Sequence, residues 1–180
     1  MMRPGLAFLP AALAVVVSAP AQAMVYLSVD QAQKQLFGDE ALTPVPLTLT
    51  PEQAAAVEKD SGVHVYSSTL SLWRAADGWL LIDAVIGKHD LIPYALALDN
   101  AGKVRGMEIL EYRESYGGEV RNPRWRAQFS GKHHGDEVQV GDDIQGISGA
   151  TLSCQHLTDG VRRLLATYAI AISKLPPAGP

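Results

Sequence analysis

Four small residues, Gly146, Ser148, Gly149 and Ala150, stand directly ahead of Thr151, where a helical pattern begins. Small residues at a helix entry let a ligand approach the backbone, and the first-turn N–H groups point outward to receive an anion. A threonine hydroxyl there sits where a phosphate would be held. The same residue types also make an ordinary turn with an N-cap. Other reactive side chains are scattered. Lys88-His89-Asp90 and His133-His134-Gly135-Asp136 set histidines near acids, but adjacent histidines point in different directions and no third-ligand spacing supports a metal site. Cys154 follows Thr151 by three residues. It is either a thiol with a lowered pKa at a helix start or a small buried residue. No Ser-His-Asp order and no paired-carboxylate pattern stands out.

Cys154 is also the only cysteine. That count excludes an intrachain disulfide, a CxxC zinc site and a CxxCH haem attachment. The chain opens Met1-Met2-Arg3, runs apolar from Leu6 to Val17 around Pro10, and reaches Ala21-Gln22-Ala23. A basic start, a short apolar core and a small-x-small site form a secretory signal peptide, too short to be a stable membrane span. The expectation is export to the periplasm with cleavage after Ala23. Removing Arg3, the leader's single charged residue, takes the formal net charge from −4 to −5. That mild acidity argues against nucleic acid as a partner.

The elements that must position Thr151 can be read in order. Ser28-Val29-Asp30-Gln31 is a capping box that opens a helix through about Phe37, stopped by Gly38. Thr50-Pro51-Glu52-Gln53 opens a second, ending near Ser61-Gly62. Ser67 to Ala75 alternates between polar and apolar residues, Asp77-Gly78 marks a hairpin turn, and Trp79 to Gly87 returns. Ile92 to Leu98 is a third strand, and Lys103 to Tyr112 is a fourth. Tight turns between successive strands predict an antiparallel sheet. Arg113 to Glu119 has no period and reads as a loop. Asn122-Pro123 caps a short helix with Trp125, Gln128 and Phe129, and Val138 and Val140 suggest a short strand. After Thr151, Leu157, Val161, Leu164, Leu165, Tyr168 and Ile172 share one helical face. The expected organisation is a signal peptide over 1–23, one α+β domain over 24–174 with an antiparallel sheet and flanking helices, and a disordered tail over 175–180.

The string Ile147-Ser148-Gly149-Ala150-Thr151-Leu152-Ser153 resembles the flavinylation motif of FMN-binding domains. Such domains occur in subunits of sodium-pumping quinone reductases and Rnf-type electron-transport complexes, and in small exported proteins. Successive blocks extend the resemblance: Gly87-Lys88-His89-Asp90 with Ile92-Pro93-Tyr94, then Tyr112 to Glu119, then Trp125 with Gln128 to Lys132. One position departs. The family motif carries an acid three residues before the serine, where this chain has Gln145.

The resemblance implies FMN as cofactor, joined through its phosphate to Thr151 by a separate flavin transferase that uses FAD. It implies that Gly149 and Ala150 leave room for the phosphate and ribityl chain, and that Ser148 or Ser153 donates a further hydrogen bond. Gly117 and Gly118 would approach the flavin ring, with Glu114 or Tyr116 bordering it and His89 nearby. Trp125 and Phe129, four apart, read better as core than as a ring stack. Lys132 serves the phosphate or is solvated. The expected function is electron transfer rather than stand-alone catalysis, with a cytochrome or a membrane electron-transport complex as redox partner. Two other readings stay open: an enzyme holding FMN non-covalently to reduce a small exported substrate, and a flavin-free binding module.

Overall fold

The structure, a computed structural model, describes residues 24–176. The expected leader and its cleavage site therefore lie outside the described residues. Two helices come first, each opened by the capping box expected. In α1 (Val29–Phe37) and α2 (Pro51–Ser61) the Ser28 and Thr50 hydroxyls accept the amides of Gln31 and Gln53, whose side chains accept the cap amides in return. Gly38 and Gly62, both at positive φ, end them.

Antiparallel strands follow: β4 (Thr69–Arg74), β5 (Gly78–Ile86), β6 (Leu91–Asp99) and β7 (Val104–Ile109). The short strand β2 (Thr43–Pro44) extends this sheet in the order β2-β4-β5-β6-β7, and β3 (Leu47–Thr48) also pairs with β4. β1 (Met24–Val25) forms a separate pair with β8 (Glu111–Tyr112). β6 is buried along most of its length because both faces of the sheet are covered. On one face α4 (Thr151–Ile170) lays Leu157, Val161, Leu164, Leu165 and Tyr168 over Leu81, Val85, Tyr94 and Leu96. Gly160 marks the crossing, where an added Cβ would stand 2.7 Å from both Val85 and Tyr94. On the other face Ala32 and Phe37 of α1 pack with Leu80, Ala95, Ala97 and Leu110. The architecture is α+β, as expected, and no described helix is long and apolar enough to cross a membrane.

Two expectations are corrected. Lys103 to Tyr112 is not one strand. Leu110 interrupts it: its N–H goes to the Pro93 carbonyl, while its own carbonyl accepts from Tyr26 and Leu27 at 3.0 and 3.2 Å. The chain bends there and β8 leaves the main sheet for β1. Val138 and Val140 form no strand either. The Asp143 carboxylate accepts the amides of Val138 and Gln139 at 3.1 and 2.8 Å. Val138 is thereby turned to φ 42°, a conformation that a β-branched residue rarely adopts. Only an isolated bridge, Val140 with Ile144, remains. Of the expected tail, Leu175 packs on the core and the Pro176 carbonyl accepts from Arg74.

Candidate functional site

The approach to Thr151 is held by main-chain bonds. The indole N–H of Trp125 donates to the Gln145 carbonyl at 2.8 Å, and the Gln128 carboxamide accepts the Gln145 amide at 2.8 Å. Gln145 is thus clamped through its backbone while its side chain is exposed. Trp125 and Phe129 are both buried and meet edge to face at 5.2 Å, so the aromatic pair is core.

Beyond Gln145 the chain turns sharply. The Ala150 amide reaches back to the Ile147 carbonyl at 3.0 Å, and Gly149 between them has φ 83°. Such a turn requires a residue that tolerates positive φ at its third position, which glycine does. A Cβ built on Gly149 would meet nothing within 4 Å, so this corner is open. Ala150 occupies the cap position of α4 and supplies no side-chain cap. Thr151 is the first helical residue and is exposed. The first-turn N–H groups therefore have no side-chain acceptor and face outward, with the positive end of a 20-residue helix behind them. An anion of phosphate size fits this end on the grounds of open space, free donors and an accessible hydroxyl.

The loop after β8 is pressed onto the same helix start. Tyr112 Oη donates to the Tyr116 carbonyl at 2.6 Å, which leaves Ser153 Oγ to donate to Tyr112 Oη at 2.8 Å. Burial pushes the Tyr112 hydroxyl pKa up, against the opposing bond from Ser153. Gly117, at φ 88°, lies so close that a Cβ would stand 2.5 Å from Tyr112 Oη, 3.0 Å from Ser153 Oγ and 3.4 Å from Ala150 Cα. Ser153 is itself buried and spent on this contact. Ser148 is exposed at the rim, and Tyr116 is 83 % exposed.

A third segment joins through Glu114. Its carboxylate accepts the amides of His89 and Asp90 at 2.5 and 3.0 Å, which fastens the β5–β6 hairpin tip to the loop. Desolvation opposes ionisation of this carboxyl, but the amides of His89, Asp90 and Lys88 outweigh it and hold the pKa below the ordinary value. The His89 side chain is exposed. The tip Gly87–Asp90, the loop Tyr112–Gly118 and the turn Ile147–Ser153 are in this way tied into one end of the molecule.

Other side chains have separate duties. Lys132 is ion-paired with Asp143 at 2.7 Å, so its charge serves the Val138 loop. His133 faces Asp136 and His134 faces Asp60. Among the described residues no cluster of histidine, cysteine or acid is arranged to hold a metal. Cys154 is buried, which raises its thiol pKa despite a backbone bond at Ile147. The helix start does not activate it. Sequence reading missed Tyr112 and the Gln128–Gln145 clamp as parts of the site. Neither has a local signal, because each depends on a partner far along the chain.

No curated protein matches this chain. Residues 87–166 match the family model of the FMN-binding domain, a stretch that begins at the hairpin tip and ends within α4. All three segments tied together around Thr151 fall inside it, and the match supports an FMN-binding domain over these residues, with FMN as the cofactor it indicates.

Proposed function

We propose that this protein is an exported electron carrier whose FMN is attached to Thr151 by a phosphoester bond. The observation that carries the reading is the start of α4, where an exposed hydroxyl stands beside uncapped amides with open space before them. In the attachment step Thr151 Oγ1 attacks the FMN phosphorus of FAD bound to a flavin transferase. The new O–P bond replaces the pyrophosphate link, AMP leaves, and the hydroxyl proton passes to the transferase. No internal base near Thr151 is needed, and none is expected.

Once in place, the phosphate is held by the amides of the first turn, with Ser148 at the rim. Gly117 and Gly118 border the ring with their backbone, and Tyr116 and His89 flank it from the loop and the hairpin tip. FMN supplies one- and two-electron chemistry, and the protein sets its position and potential. A cytochrome or a membrane electron-transport complex is the proposed partner.

The test is co-expression with a flavin transferase followed by acid precipitation. Yellow colour stays with the protein and disappears in Thr151→Ala. Colour released by acid from the unaltered protein overturns the phosphoester. One observation favours that second outcome, a non-covalent flavoprotein: Gln145 replaces the motif's acid and its side chain faces solvent, where a transferase reads it. Gln145→Asp then raises the covalently loaded fraction, measured by mass spectrometry. A colourless protein from this host sinks both readings and leaves the flavin-free module.

A further inference from the structure

Beyond Ile82 the sheet comes apart. β4 and β5 are paired from Arg74–Trp79 to Ser71–Ile82. β4 then pairs through Leu70 and Thr69 with β3, and Asp83 to Ile86 have no strand on that edge. Ala84 stands opposite Pro93, whose carbonyl takes the Leu110 amide on the far side. The alternation of antiparallel pairs therefore turns the N–H and C=O of Ala84 toward the open edge.

A cleft of about 490 Å³ occupies the gap. Leu49, Leu70, Ile82, Leu91 and Leu164 make its walls mostly apolar. Arg163, only 7 % exposed, also lines it, paired with Asp83 at 2.6 Å and bonded to the His64 carbonyl at 3.0 Å. A smaller cleft shares Tyr66, Ile86 and Arg163 with it and runs on to His156. A buried ion pair is commonly less stable than an apolar pair of similar volume. The flavin site uses neither the cleft nor Arg163.

We propose that this cleft binds a second small molecule: a neutral, flat, mostly apolar ring compound with an N–H beside a C=O. Its size is that of a small-ligand site. Asp83 already neutralises Arg163, so an anionic ligand would have to displace it and strand a buried charge. A cationic ligand would meet the guanidinium. A neutral ring fills the apolar walls, and its donor–acceptor edge pairs with the N–H and C=O of Ala84.

The probe is 2-quinolone, titrated into the flavin-loaded protein and followed by calorimetry and amide chemical shifts. Saturable binding is expected, with the Ala84 amide among the signals that move. Leu91→Trp, at a residue 57 % exposed on the cleft mouth, weakens binding about ten-fold, and Leu70→Trp does the same from within. Thr151→Ala binds the probe as the unaltered protein does, so this site stands or falls apart from the flavin attachment. Absence of saturable binding, or binding that ignores both tryptophans, overturns the proposal. So does binding to Thr151→Ala but not to the loaded protein, because the flavin itself would then occupy the cleft.

Discussion

The starts of α2 and α4 meet the same requirement in opposite ways. Both must satisfy first-turn amides that the helix cannot satisfy itself. At α2, Thr50 accepts the Gln53 amide at 3.2 Å and Gln53 accepts the Thr50 amide at 2.9 Å, so that end is closed. At α4 an alanine stands in the cap position and the end is left open. A good cap contributes about 1 kcal/mol. The 11-residue α2 buries only Val57 and Ser61, so that amount matters to it. α4 buries a whole face, and each of Leu157, Val161, Leu164 and Leu165 contributes about 1.5–3 kcal/mol. It forms without a cap. The difference teaches where a fold can leave donors free for a ligand: at the end of the helix whose packing already suffices.

The comparison is broken hardest at Thr151. Thr151→Ala removes all acid-stable flavin yet leaves unfolding free energy within about 0.5 kcal/mol, because the residue is exposed and caps nothing. Denaturant melts beside absorbance after acid precipitation check both halves. Gly117→Ala attacks the same end from the loop side. Positive φ and the contact with Tyr112 together cost on the order of 1–3 kcal/mol, and flavin loading falls with stability. An unchanged melt would mean that the loop does not rest on α4.

At the closed end, Thr50→Ala costs about 1 kcal/mol and leaves flavin loading untouched. Loss of loading there would erase the distinction between the two helices. The smallest effect sharpens it. Thr151→Asp places a carboxylate at the open end and stabilises the unloaded protein by about 0.3–1 kcal/mol relative to Thr151→Ala. Equal melts for the two variants would mean that the field at this end is too weak to help hold a phosphate.

Acid tests the clasp between hairpin tip and loop. The folded pKa of Glu114 lies below its unfolded value of about 4.3. Its contribution is therefore complete above that value and is lost as pH falls through the folded pKa. Hydrogen exchange at the His89 and Asp90 amides, corrected for the intrinsic rate, accelerates across that window. In Glu114→Gln the acceleration is absent.

What could be read from the chain follows from how far each signal reaches. Ser28 with Gln31 and Thr50 with Gln53 are complete within four residues, so both capped ends are plain in the sequence. The buried face of α4 is equally plain, since periodicity is local. The break at Leu110 is not, because it depends on Tyr26 and Leu27, more than eighty residues earlier in the chain. Val138 is the same kind of case. Two valines in alternation read as a strand, and only Asp143 taking their amides overrules them. The candidate site was legible as a motif through Thr151 and its upstream blocks. What those blocks do was not: Glu114 fastens a hairpin tip, and Trp125 and Gln128 grip a backbone twenty and seventeen residues ahead.

That grip has a consequence for position 145. A residue held only by its amide and carbonyl carries a side chain that the fold does not read. An acid in place of the amide at position 145 therefore changes stability by no more than about 0.5 kcal/mol, as for other exposed sites. Under the proposed attachment, a change of side chain there alters the meeting with the transferase while the domain stays intact.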